Sequence, residues 1–211
     1  MNPFFFNKQH IFYLIACLLL LSSCEKQGPY ALGKAHTEWV MGTLCRYSLP
    51  EGSDPTLFTA IGERLRRIEE IMSANQNTST LGKINSGSGA FSIEAEPELI
   101  ELTELSIEIS FKTKKYFDPS IGPLVALWDI GSDNPRLPAD REITQALSLL
   151  GLEDIVINHI DNSIFLKRKG MRLDLGAIAK GYAADEISRL LSEASIKYAV
   201  IDLGGNVLCH G

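Results

Sequence analysis

Residues 174–186 read DLGAIAKGYAADE, and residues 200–206 read VIDLGGN. The first string sets an acid, Asp174, ahead of small residues that open a helix, with Lys180 and Gly181 in its first turns. The first N–H groups of a helix have no partner within it, and the helix dipole adds partial positive charge at that end. Lys180 adds a full charge. A diphosphate would find both donors and countercharge there. The same residues also describe an ordinary helix start whose glycines permit close packing, and one Gly-rich match does not separate the two readings. A second acid, Asp118, stands in Phe117-Asp118-Pro119. It could accept hydrogen bonds from a ribose or a ring N–H, or it could open a turn, as Asp-Pro commonly does.

These residues need elements to position them. Residues 171–174 read as a strand that delivers Asp174 to a helix over 176–195. Residues 198–203 form an apolar strand, and 207–209 pair back after Gly204-Gly205. Upstream, 36–49 alternate loosely and read as a strand. Asp54-Pro55 gives an N-cap followed by proline at the first helical position. Leu57, Phe58, Ile61, Leu65, Ile68 and Met72 then share one helical face, a core stripe. Residues 73–79 are polar and irregular, and 91–93 read as a short strand. Glu96-Pro97 starts a helix that runs to Lys112, Lys114 and Lys115, whose charge suits a helix C-terminus. Asp140 caps a helix ending before Gly151. Residues 155–158 and 163–167 form a hairpin. Tyr116, Phe117 and Trp128 have the apolar bulk of core residues. Helices mixed with antiparallel strands make the class α+β.

The 211 residues allow one medium domain and a leader. A net charge of −6 argues against a nucleic-acid partner, which needs clustered Lys and Arg. Lys8 and His10 precede an apolar run over 11–21, too short to span a bilayer and suited to a signal peptide. The run ends in Leu21-Ser22-Ser23-Cys24, similar to a bacterial lipobox. The expectation is a signal peptide over 1–23, a lipidated Cys24, a tether over 24–35 and a domain over 36–211. Acyl chains on Cys24 would hold the protein at a bacterial cell membrane, or at the periplasmic face of an envelope membrane, without a span. Cys45 and Cys209 could form a disulfide in that compartment or remain two buried thiols. The cysteine and histidine spacings show no zinc pattern.

The string DLGAIAKGYAAD resembles the core motif of the ApbE family of FAD:protein FMN transferases and FAD pyrophosphatases. Further blocks follow in the family's order. They are Met41-Gly42-Thr43, the loop 73–85 ending in Ser79-x5-Asn85, Phe117-Asp118-Pro119 with Gly122-Pro123-Leu124 and Leu127-Trp128, and Leu203-Gly204-Gly205-Asn206. The resemblance implies a T-fold-like architecture, incomplete at the C-terminus, because the family's later Thr-Ser-Gly, His and Asp…Thr segments are not in these 211 residues. It places FAD contacts on Met41, Asn75, Tyr116, Phe117, Asp118, Asp174 and Lys180, and a metal-ligating carbonyl on Ala177.

The activity implied is magnesium-dependent transfer of FMN from FAD to a Thr or Ser of an acceptor flavoprotein, a subunit of a membrane redox complex, with release of AMP. Attack by water would instead hydrolyse FAD to FMN and AMP. Many members carry an aromatic where this chain has Asn75. An amide cannot stack on a flavin in that way, which tilts the expectation towards hydrolysis. With one neutral carbonyl as ligand, these residues are expected to bind magnesium poorly and to turn over little. Apolar strand surface over 200–209 is expected to be exposed. The alternative is a non-catalytic, flavin-binding lipoprotein.

Overall fold

The computed structural model describes residues 31–130 and 135–211. The leader, Cys24 and the first part of the tether lie outside the described residues.

A four-stranded antiparallel sheet has the order β1 (His36–Val40), β2 (Thr43–Ser48), β6 (Ala199–Leu203), β7 (Asn206–His210). Residues 36–49 are therefore two strands rather than one. Val40 pairs with Thr43, and Met41 and Gly42 form the turn with φ of 54° and 65°. Two positive φ angles give the tight turn that suits twisted strands. Met41 adopts the left-handed backbone despite its Cβ, so residue type gave no warning of the turn. The β6–β7 hairpin uses the expected pair, Gly204 and Gly205, at φ 64° and 94°. β6 is hydrogen-bonded on both sides, to β2 and β7. The expectation of unpaired strand over 200–209 thus reduces to β7, the sheet edge among the described residues.

Two helices cover the inner face, α1 (Pro55–Met72) and α6 (Gly176–Glu193). Ile61, Leu65 and Ile68 of α1 and Ala183, Ile187 and Leu191 of α6 are buried with Cys45, Tyr47 and Ile201 of the sheet. Asp54 caps α1 as expected, its Oδ1 accepting from Thr56 N–H at 2.9 Å. A second sheet has the order β3 (Ile93–Glu94), β5 (Ser163–Leu166), β4 (Ile155–Asn158). Around it stand α2 (Thr80–Ser86), α3 (Pro97–Lys112), α4 (Gly122–Trp128) and α5 (Asp140–Leu147). Asp140 is the first residue inside α5 and not its cap. Glu142 reaches back instead and accepts from Ala139 N–H at 2.9 Å. Trp128 is half-buried at the end of α4, not in the core.

Cys45 is buried, and burial, followed by the charges of Glu38 and Asp202, pushes its thiol up to about 11. Cys209 is exposed, against expectation. Cys45 lies opposite Leu203 and Cys209 opposite Val200. Those two β6 positions are an odd number apart, so the cysteines face opposite sides of the sheet and cannot be bridged.

One ionic node ties α1, α3 and α6 together. Arg64 donates to Glu186 at 2.7 and 3.0 Å and also pairs with Glu98, while Tyr182 donates to Glu98 at 2.7 Å. Burial alone would lift the Glu98 carboxyl, but bonds from Arg64 and Tyr182 outweigh it and leave it below its ordinary value. Glu186 is held low first by Arg189 and then, against burial, by Arg64. A carboxyl lowered in the folded state contributes stability above its unfolded value, and that contribution is lost as pH falls through the folded one. The urea midpoint should therefore drop on acidification below the ordinary carboxylate range. Arg64→Met should lower stability at neutral pH by about 1–3 kcal/mol, less than for a fully buried pair because water reaches the node. It should also flatten the acid limb, and an unchanged limb would show that the node does not carry it.

Candidate functional site

Three segments distant in sequence meet at Asp174. A cavity of about 420 Å³ is lined by Met41 and Gly42 of the β1–β2 turn, Glu69 and Met72 of α1, residues 73–76, and Asp174, Gly176 and Lys180. A second, of about 380 Å³, is lined by Lys115, Tyr116, Phe117, Asp118 and Val125, and again by Asp174 and Gly176, with Ala177. A small third cavity of about 70 Å³ joins Asn75 to Asp174 and adds Asp129 and Arg172. Met41, Asn75, Asp174 and Lys180 thus share one arm of a groove, and Tyr116, Phe117, Asp118, Asp174 and Ala177 share the other.

The stretch before Asp174 is extended but belongs to no sheet, which corrects the strand expected over 171–174. Its hydrogen bonds go to a side chain. Buried Asn85 accepts from Leu173 N–H at 2.7 Å and donates to Leu173 C=O at 3.0 Å. Asp174 N–H then donates to Pro119 C=O at 2.9 Å, and Asp174 Oδ1 accepts from Gly176 N–H at 2.7 Å. A buried backbone needs such partners. The other end of Ser79-x5-Asn85 has a separate task. Ser79 accepts from Gly82 N–H at 2.9 Å, capping α2, which sequence reading had left within a loop. Its hydroxyl lies 2.5 Å from Ser73 C=O and 2.8 Å from Gln76 C=O, which folds the loop carrying Asn75. A Cβ on Gly82 would collide with the Gln76 carbonyl. Arg172 donates to Ala74 C=O at 3.0 Å and ties that loop to the residue two before Asp174.

Asp118 acts as a turn cap. Its Oδ1 accepts from Ser120 N–H at 2.8 Å and from Ser120 Oγ at 2.6 Å. Asp118 and Asp174 each use Oδ1 for local geometry, and the second oxygen of each takes no hydrogen bond among the described residues. Tyr116 is 96% exposed, so it stands at the mouth of the groove and not in a core; Phe117 is half-buried. Asn75 is exposed and Lys180 half-buried, and Lys180 forms no ion pair among the described residues. Ala177 is exposed in the first turn of α6. Among the described residues no group of three or more His, Cys, Asp or Glu is placed to hold a metal. Sequence reading missed Glu69, Lys115 and Arg172 as groove residues. Glu69 lies beside the apolar stripe of α1 and Lys115 in a run of helix-end lysines, so only the spatial meeting of segments marks them.

This geometry can be set beside known proteins. The family model described as ApbE family matches residues 41–211. An FAD:protein FMN transferase of Treponema pallidum is 31% identical over 186 residues, covering 84% of this chain and 51% of that protein. The ApbE protein of Thermotoga maritima superposes with a TM-score of 0.76 at 28% identity, over 86% of this chain and 59% of that one. The flavin transferase ApbE of Vibrio cholerae gives a TM-score of 0.77 at 23% identity, over 86% of this chain and 60% of that one, and shares the fold. The chain belongs to the ApbE family, and it spans about half the length of the T. pallidum relative.

Asn85→Ala should strip both partners from Leu173, at about 1–3 kcal/mol for each buried backbone group left unsatisfied. A urea midpoint equal to that of the wild type would show that Leu173 finds other partners.

Proposed function

We propose that this chain is the FAD-holding part of an FAD:protein FMN transferase. The protein moves FMN from FAD to a Thr or Ser hydroxyl of an acceptor flavoprotein and releases AMP. The reading is supported by one observation above the rest: the groove around Asp174 gathers a helix N-terminus, a lysine without an ion pair among the described residues, and two carboxylates from separate segments. The printed name of the T. pallidum relative agrees with it.

The acceptor oxygen attacks the FMN-side phosphorus, the P–O bond to the AMP phosphate breaks, and the hydroxyl proton passes to solvent or a base. Positioning and charge neutralisation carry such a reaction. Lys180 would neutralise phosphate charge. Asp174 and Asp118 would accept from ribose or ring N–H groups through their free oxygens. Met41, Phe117 and Tyr116 would pack against the rings. Water in place of the acceptor hydroxyl gives FMN and AMP, and exposed Asn75, which cannot stack on a flavin, leaves that path open. Magnesium dependence belongs to the proposal, with Ala177 C=O as one ligand. A second reading is a flavin-binding protein without turnover.

The proposal extends to location and organisation. Residues 1–23 are a signal peptide, and Cys24 is lipidated and followed by the tether over 24–35. The domain beginning at 36 is held at a bacterial cell membrane or at the periplasmic face of an envelope membrane. The acceptor is then a subunit of a membrane redox complex.

FAD should bind the purified protein, and Lys180→Met should weaken it about tenfold or more, the worth of one charge-assisted hydrogen bond. AMP release by the full-length protein should stop when EDTA is added; equal rates with and without chelator refute metal dependence. Binding without AMP release would support the second reading. Mass spectrometry should find diacylglycerol on Cys24, and a mature N-terminus upstream of Cys24 would refute the anchor.

A further inference from the structure

The turn that leaves α3 is built from lysines where glycine fits best. Lys114 and Lys115 have φ of 53° and 65°. Lys114 N–H donates to Phe111 C=O at 3.1 Å and Lys115 N–H to Ser110 C=O at 2.7 Å, so the turn is well made. A helix ending in left-handed backbone usually takes glycine there, because a Cβ adds strain. Glycine would make the same turn at lower cost. Complementing the helix dipole does not require a lysine in this backbone, since Lys112 already stands in the last turn.

Lys115 has another use. It lines the arm of the groove that holds Tyr116, Asp118, Asp174 and Ala177. The other charged residues lining that arm are Asp118 and Asp174, both acids, and Lys115 forms no ion pair among the described residues. Two carboxylates that hold ribose or ring N–H groups still repel the diphosphate carried by the same ligand. We propose that Lys115 is a specificity-determining residue. It supplies the cation that lets an anionic, phosphate-bearing part of a flavin dinucleotide enter the Tyr116 arm, as Lys180 does in the Met41 arm. The inference rests on the FAD-binding reading above.

The test compares flavins with and without phosphate. FAD and riboflavin are titrated into the purified full chain by flavin fluorescence at low and high salt, for the wild type, Lys115→Gly, Lys115→Arg and Lys114→Gly. Lys115→Gly should keep or raise the thermal midpoint and weaken FAD about five- to tenfold at low salt, while riboflavin affinity stays unchanged. The gap should close as salt screens the charge. Lys115→Arg should restore FAD binding, and Lys114→Gly should behave as wild type. If Lys115→Gly binds FAD as tightly as the wild type, or loses FAD and riboflavin equally, the inference is overturned. If the wild type itself does not bind FAD, the FAD-binding reading fails and this inference fails with it.

Discussion

Leu173 has no strand beside it, and the site depends on how its backbone is satisfied. Asn85 offers an acceptor and a donor on one side chain, the pair that a neighbouring strand would present. A carboxamide carries the two on separate atoms, as a peptide group does. An aspartate would lose the donor, and a leucine would lose both. Because Asn85 is buried at the end of α2, it ties the approach to Asp174 to the element that also closes the 73–79 loop. One short helix therefore fixes two walls of the groove. Arg172, bonded to Ala74, makes the same connection from the other side.

The groove is electrostatically mixed. Its acids do structural work with one oxygen each: Asp118 opens the turn into α4, and Asp174 opens α6. These bonds hold the carboxylates in place without a metal. The lysines do the reverse, since neither Lys115 nor Lys180 is tied to a carboxylate among the described residues. The acids are thus fixed in place by the fold, while the two lysines keep their rotamer freedom. The ionic node of Arg64, Glu98 and Glu186 lies on the far part of α6 and leaves the N-terminal turn free of competing charge.

Much of this was legible from residue types. The Asp54 cap, the α1 stripe and the Gly204-Gly205 hairpin follow from local preferences that the tertiary structure leaves alone. Where expectation failed, a distant partner overrode a local rule. Residues 171–174 carry a strand-like apolar pattern, yet the backbone of Leu173 bonds to Asn85, 88 positions away in sequence, and Asp174 N–H to Pro119 C=O. Met41 turns the chain in a conformation that its residue type disfavours. Tyr116 has the bulk of a core residue but follows two left-handed lysines that swing it outward, leaving it 96% exposed. The site residues were readable as a set only through resemblance to a family. Glu69, Lys115 and Arg172 belong to no string that marks them, and they come together only when the segments fold.

The positive φ angles connect these failures. Met41, Lys114 and Lys115 are all left-handed residues with side chains, and Met41 and Lys115 both line the groove. Asp129, Asn162 and Ser195 adopt the same geometry, and Gly204 and Gly205 supply it without a Cβ. Strain of this kind persists only where surrounding structure over-determines it. Here the surroundings qualify: a paired hairpin holds Met41, and bonds back to Ser110 and Phe111 hold the lysines. Glycine at Met41 or Lys115 would relax the backbone and remove a groove-lining side chain, a thioether from one arm or an ammonium from the other.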